Sequence, residues 1–189
     1  QTQSQITRFS EIRSHLDISG IKPDWIHLAS TNPLHFGVRE AWGNMARPGY
    51  ALYGFVSQAK GTAPMKLLED VQPAMSWKAS ILLCKEIQAG ESVGYGAMYR
   101  AQRLMRIGIL GVGYADGLPH RLSGRGQVLA GGNLVPMLGA VSMDLTTVDL
   151  TGTTLKAGDA VTLLGEENGH RIDARQMGRQ AGTIAYAIL

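Results

Sequence analysis

The residues able to do chemistry in this sequence stand beside glycines. Gly111-Val112-Gly113-Tyr114-Ala115-Asp116-Gly117 closes an apolar run with a tyrosine whose small neighbours let a phenol stand clear at a strand end, where ligand sites of α/β proteins gather. A phenol acting as a base needs a nearby cation or donor. None lies beside Tyr114 in the sequence, and a tyrosine that packs its ring and ties its hydroxyl to the backbone fits the same string. Arg47-Pro48-Gly49-Tyr50 sets a permanent cation next to a glycine that admits close approach of a ligand. Phosphate binding by the following N–H groups and a plain surface turn both fit it. Thr31 follows an apolar stretch and precedes a helical one, where a hydroxyl either meets an anion or caps a helix. In Ser142-Met143-Asp144, Asp144 either orients a ligand or closes a turn.

Other chemistries are excluded by spacing. His15, His27, His35, His120 and His170 share no metal-ligand pattern, and the lone Cys84 rules out an internal disulfide and a multi-cysteine centre, so no metal is expected. The glycine strings around Gly94 and Gly111 lack G-x-G-x-x-G and a P-loop lysine. Lys+Arg exceeds Asp+Glu by 18 − 15 = +3, but the basic residues are scattered without interleaved aromatics, and nucleic acid is not an expected partner.

These residues need elements to position them. The 189 residues are 44% hydrophobic and 17% charged, the balance of a packed protein rather than a disordered one. Glycine, at 24 of 189, is well above a typical share of about 7% and occurs in turns rather than linkers. Phe9, Ile12 and Leu16 predict a short amphipathic helix over 8–16, ended by the turn at 20–23. Residues 25–29 predict a strand, Pro33 opens a helix through Trp42, and 45–55 return to strand character. Two parallel strands cannot form a core of their own, so either further sheet lies upstream or this segment docks on something else.

From Val71 onward, apolar runs at 75–87, 105–112, 127–130, 134–138, 145–150 and 160–164 alternate with glycine turns and predict a mainly antiparallel sheet. Gly131-Gly132-Asn133 is a tight hairpin turn. A helix over 173–179 and a strand over 184–189 close the chain. The composition shift at 61–69 sets the boundary, giving units 1–64 and 65–189 and an α+β fold class. The lone Cys84 favours a reducing compartment, so a cytoplasmic protein is expected; no apolar run reaches the roughly 18 residues of a membrane span, and 1–5 is unlike a signal peptide, so no membrane contact is expected for this segment.

Six strings in order then carry a resemblance: R-P-G-Y-A-L-Y-G at 47–54, V-G-Y-G-A-M-Y-R-A at 93–101, G-V-G-Y-A-D-G at 111–117, V-P-M-L-G-A-V-S-M-D at 135–144, G-D-A-V-T-L-L-G at 158–165 and A-G-T-I-A-Y at 181–186. Together they resemble the alanine racemase family, pyridoxal 5'-phosphate enzymes with an N-terminal (β/α)8 barrel and a C-terminal β domain. The resemblance implies the last strands and helices of that barrel over 1–64 and the β domain over 65–189. It implies interconversion of L- and D-alanine, for peptidoglycan precursors, by two bases on opposite faces of the substrate. Tyr114 corresponds to the base opposite the cofactor lysine, and Arg47 to the arginine on the pyridine nitrogen. Thr31, Gly49, Tyr50 and Tyr186 correspond to the phosphate cradle, and Met143 and Asp144 to the substrate-side loop.

The sequence departs from the family pattern in three places. Ser30-Thr31 stands where the family usually has Asn-Ser, which keeps the hydroxyl. Ala185 replaces the usual proline before the phosphate tyrosine. The lysine segment resembling K-A-N-A-Y-G-H-G does not occur, and Lys22, Lys60, Lys66, Lys78, Lys85 and Lys156 all lie in other contexts. With a first residue that is not methionine, the expectation is the C-terminal part of a longer enzyme, inactive alone and without bound cofactor. By resemblance, the intact enzyme shares its sites across a homodimer. A serine or broad-spectrum racemase, and a non-catalytic assembly module derived from one, remain open alternatives.

Overall fold

Apolar runs broken by turn-forming glycines predict sheet for the second half of the chain, and sheet is what forms there. The computed structural model describes residues 2–57 and 70–189, in two units that divide between Ala74 and Met75. The boundary expected between 64 and 65 falls outside the described residues.

The second unit carries nine strands among its described residues. They are β1 (Trp77–Ile87), β2 (Ser92–Val93), β3 (Tyr99–Arg100), β4 (Met105–Leu110), β5 (Gln127–Ala130), β6 (Asn133–Leu138), β7 (Thr146–Asp149), β8 (Ala160–Glu167) and β9 (His170–Ile172). The sheet order β1-β4-β7-β6-β5-β8-β9, with β8 also paired to β1, closes six antiparallel strands into a barrel and leaves β9 as an appendage. The expected hairpin forms between β5 and β6: Ala130 pairs with Asn133, and Gly131 and Gly132 take φ of 61° and 80°.

Two cores share β1. Its first part pairs with β8 through Trp77–Ser80, and its second with β4 through Ile81–Ile87, with a register shift between Ile81 and Leu83. Upstream of that bulge, Ala79 and Ile81 join the barrel core with Leu110, Leu129, Leu150 and Leu163. Downstream, Ile87 joins a smaller cluster with Val93, Ala101, Met105, Ile107 and Leu138. A bulge of this kind re-aims the strand, and here it lets the outside of the barrel seat the β2–β3 hairpin. Leu163 is fully buried in the larger core. Leu163→Ala is expected to cost about 2–5 kcal/mol, read as a lower urea midpoint with an unchanged slope.

α3 (Ala174–Ala181) follows β9, with the Asp173 carboxylate accepting the Gln176 N–H at 2.8 Å as N-cap. The strand expected over 184–189 does not form. The segment makes a 3-10 turn at Ala185–Ala187, with Ala185 buried and Ile188 packed on the barrel core. Periodicity over so short an apolar run cannot separate a strand from a turn of helix.

In the first unit, α1 (Thr2–Ile18) overruns the expected helix at both ends. It stops where Gly20 N–H donates to Asp17 O at 3.1 Å and Ile21 N–H to Leu16 O at 2.9 Å. α2 (Thr31–His35) is shorter than the helix expected through Trp42: Gly37 turns the chain at φ 62°, and a separate 3-10 turn covers Arg39–Ala41. The strands expected over 25–29 and 45–55 do not form as regular elements. Their segments run side by side in parallel, joined by Asn44 N–H to Ile26 O at 3.1 Å and Arg47 N–H to Ala29 O at 3.0 Å, but they reach only an isolated bridge between Ser30 and Arg47. Beyond it, Gly49–Tyr53 coils into a 3-10 helix. No helix among the described residues is long and apolar enough to cross a membrane.

Candidate active site

In the first unit the expected anion-binding residues gather at one turn. The bridge at Ser30–Arg47 brings Thr31, at the start of α2, under the turn at 48–51. The Thr31 side chain is 5% exposed; its hydroxyl donates to Pro48 O and accepts the Ala51 N–H at 3.2 Å. Thr31 thus braces the turn from below rather than offering an open hydroxyl. The exposed Arg47 guanidinium reaches Leu28 O at 3.5 Å, and the Gly49 N–H has no hydrogen-bond partner among the described residues. The Tyr50 ring stacks on Phe55, with centroids 5.4 Å apart and planes 22° from parallel.

In the second unit the 139–145 loop, between β6 and β7, is held against two others. On one side, a Cβ on Gly113 would lie 2.3 Å from both Ser142 O and Met143 O, so only glycine lets these backbones meet. That approach is fastened by Tyr114 N–H to Ser142 O and Ala115 N–H to Met143 O, both at 3.0 Å. The Asp116 carboxylate accepts the Gly113 N–H at 2.9 Å and closes the turn that carries Tyr114. On the loop's own side, the Ser142 hydroxyl donates to Leu145 O and accepts the Leu145 N–H, and buried Thr146 donates its hydroxyl to Val112 O at 2.8 Å. Tyr114, 49% exposed, meets His120 edge-on at 5.9 Å, while Met143 and Asp144 both project into solvent.

On the other side, the same loop meets the turn of the β2–β3 hairpin. A Cβ on Gly139 would lie 2.6 Å from Val93 O, and one on Gly94 3.2 Å from Ala140 N. This contact presents Tyr95, which sequence reasoning passed over. It stands between Gly94 at φ 72° and Gly96 at φ 65°, and it is 78% exposed. A cavity of about 410 Å³ opens beside it, lined by Lys85, Tyr95, Ala140, Ser142, Leu145 and Thr147. Tyr114 does not line that cavity. The glycine–tyrosine–glycine triplet at 94–96 is the signal that could have found Tyr95, by the same reasoning that selected Tyr114. Tyr186 lies in the 3-10 turn after α3 and is 57% exposed. Among the described residues, no group of three or more His, Cys, Asp or Glu side chains could hold a metal.

Known proteins match along almost the entire sequence. The family described as "Alanine racemase, C-terminal domain" matches residues 74–189, and "Alanine racemase, N-terminal domain" matches residues 1–57. An alanine racemase of Symbiobacterium thermophilum is 37% identical over 190 residues, covering 100% of this chain and 49% of that protein. One of Acidiphilium cryptum is 41% identical over 167 residues, covering 87% of this chain and 44% of its own length. The crystal structure of alanine racemase from Streptomyces lavendulae superposes with a TM-score of 0.86 at 32% identity, over 99% of this chain and 48% of that one. The chain therefore spans about half the length of the relatives it matches. Six motifs in order, a closed antiparallel barrel and these matches agree, and the chain belongs to the alanine racemase family.

Proposed function

We propose that this chain is the C-terminal part of a pyridoxal 5'-phosphate-dependent alanine racemase, and that it contributes the acid–base phenol and substrate loop of a site completed by other polypeptide. The observation that carries this reading is the 139–145 loop held between two glycine-flanked tyrosines. Racemisation requires a proton removed from one face of Cα and another delivered to the opposite face. The lysine that serves one face in this family has no counterpart motif in these residues, which leaves the other face to a phenol of the second unit.

Two phenols qualify. Tyr114 is the residue that the family resemblance names. Tyr95 is favoured by its surroundings, since it opens on the cavity beside Ser142 and Leu145, whereas the Tyr114 ring is engaged with His120. Whichever acts, the backbone clamps at Gly113 and Gly139 hold it against the loop bearing Met143 and Asp144. The Met143 N–H is the group proposed to meet the substrate carboxylate.

The first unit's donors fit a phosphate-bearing cofactor: an exposed guanidinium at Arg47 and an unbonded N–H at Gly49 stand on a turn braced by Thr31. Pyridoxal phosphate, when bound, supplies a conjugated ring that takes up the electron pair left on Cα. Arg47 is proposed to face the ring nitrogen, where a cation that keeps its own proton discourages protonation of that nitrogen. Gly49 and Tyr50 are proposed for the phosphate, with Thr31 fixing the turn, and Tyr186 of the second unit is proposed for the same role on the family resemblance alone. The intact enzyme is proposed to be a cytoplasmic homodimer with shared sites, supplying D-alanine for peptidoglycan precursors.

The test compares this chain with the protein encoded by the reading frame that includes the sequence before Gln1. With pyridoxal phosphate, the longer protein is expected to interconvert alanine enantiomers faster than serine enantiomers, and the 189-residue chain alone to do neither. Turnover by the chain alone defeats the half-site reading. Absence of turnover by the longer protein defeats the racemase reading in favour of an assembly module.

A further inference from the structure

The chain contains four asparagines, and the structure sorts them by their capacity for one backbone reaction. In that reaction the following residue's backbone nitrogen attacks the asparagine side-chain carbonyl carbon. A C–N bond forms, the C–NH2 bond breaks, and ammonia leaves. Water then opens the five-membered imide to aspartate or to isoaspartate, whose backbone runs through the side-chain carbon. No oxidant or cofactor takes part.

Asn32 precedes Pro33, which has no N–H to serve as the nucleophile. Asn44 is held at both ends, its Oδ1 accepting Ile26 N–H at 2.8 Å and its Nδ2 donating to Asp24 O at 2.7 Å, and it precedes bulky Met45. Asn133 is locked in β6, paired with Ala130, and precedes branched Leu134. Asn168 differs in each respect. With Gly169 it forms the two-residue turn between β8 and β9, where Glu167 pairs with His170. It is exposed, at φ 49°, and the Gly169 N–H has no hydrogen-bond partner among the described residues. A glycine leaves that nitrogen unshielded and the turn free to reach the bent geometry that ring closure needs. Asp116-Gly117, the comparable Asp–Gly pair, is restrained: its carboxylate holds the Gly113 N–H, and the Gly117 N–H donates to Tyr114 O at 3.2 Å.

We infer that Asn168 is a spontaneous deamidation site, and that its conversion loosens the tie between the β5–β6 and β8–β9 hairpins. The Asn168 side chain lies over Gly132, whose N–H donates to Glu167 Oε1 at 2.7 Å, while the other Glu167 oxygen accepts the Thr162 hydroxyl at 3.1 Å. A carboxylate at 168 stands beside that of Glu167 and competes for the same N–H. The isoaspartyl product also adds a backbone atom to a two-residue turn, which its register does not accommodate.

The purified chain is incubated in mildly alkaline buffer and followed by intact mass and peptide mapping. A gain of about 1 Da, the exchange of NH2 for OH, is expected first at Asn168, at least about tenfold faster than at Asn44 or Asn133. Asn168→Gly keeps the positive-φ turn and is expected to abolish the early mass gain. Asn168→Asp is expected to unfold at a lower temperature than Asn168→Gly. Early gain at Asn44 or Asn133, or an unchanged rate in Asn168→Gly, overturns the site. Equal melting of the Asp and Gly variants overturns its coupling to Glu167.

Discussion

Tyr95→Phe in the full-length enzyme is expected to suppress exchange of the Cα proton from one alanine enantiomer by about 100- to 10,000-fold, while exchange from the other enantiomer continues. The asymmetry follows from geometry. In the proposed mechanism a phenol serves one face of the substrate, and the family's lysine, on the opposite face, is untouched by the substitution. Overall racemisation falls in both directions, since each direction uses both groups, so isotope exchange in D2O, followed separately from L- and D-alanine, is the deciding readout. Tyr114→Phe, assayed in parallel, is expected to lose less than about tenfold, in keeping with loss of one ring-edge contact and a surface hydroxyl. If the one-sided loss instead appears in Tyr114→Phe, Tyr114 is the base, as the family resemblance implies. Equal loss from both enantiomers in both variants removes either phenol from a one-face role.

The largest expected stability effect is at Gly113. Its φ of −149° is open to any residue, so backbone conformation does not demand glycine there. Crowding does: a methyl would lie 2.3 Å from two carbonyl oxygens, those of Ser142 and Met143. These oxygens accept the Tyr114 and Ala115 N–H groups, so relieving the clash pulls the loops apart and breaks both bonds. Overpacking and unpaired backbone groups together are expected to cost about 3–5 kcal/mol, a large share of the roughly 5–15 kcal/mol that stabilises a domain. Gly113→Ala should therefore move the urea midpoint of the chain far below that of the parent. A midpoint within error of the parent would show that the loops can part without penalty.

Much of the barrel was readable because each strand there carries its own signal. Gln127–Ala130 is apolar and bounded by glycines, and it becomes β5 with the same limits. The helix expected over 173–179 forms as α3, starting one residue later with Asp173 as its cap. The first unit was less readable because its extended segments depend on neighbours that local sequence does not encode. The stretch 25–29 has strand composition, but parallel pairing needs sheet on its flanks, and the backbone of the two segments is tied at Ile26 to Asn44 and at Ala29 to Arg47 without forming a continuous ladder among the described residues. At the end of the chain, Ile184 and Ile188 read as strand residues, but the turn closing α3 commits that segment to a 3-10 coil.

The candidate site was half visible for a similar reason. Gly113 and Tyr114 announced themselves through the density of glycine around them, and their closeness to Met143 is a long-range fact supplied by the β6–β7 connection. Tyr95 carries the same local signal, but its place beside the 139–145 loop depends on the second core, which exists because β1 bends at its bulge. Thr31 was recognised by type and position, while its burial beneath Pro48 and Ala51, which makes it a support, comes from the parallel approach of two segments 17 residues apart.

Closure of the barrel also bears on how the chain behaves among copies of itself. A closed ring of strands has no terminal strand, so the terminal rim of the seven-stranded sheet falls to β9. That rim is only three residues long and displays His170 and Arg171 to solvent, a poor template for the runaway strand stacking that open apolar sheets invite.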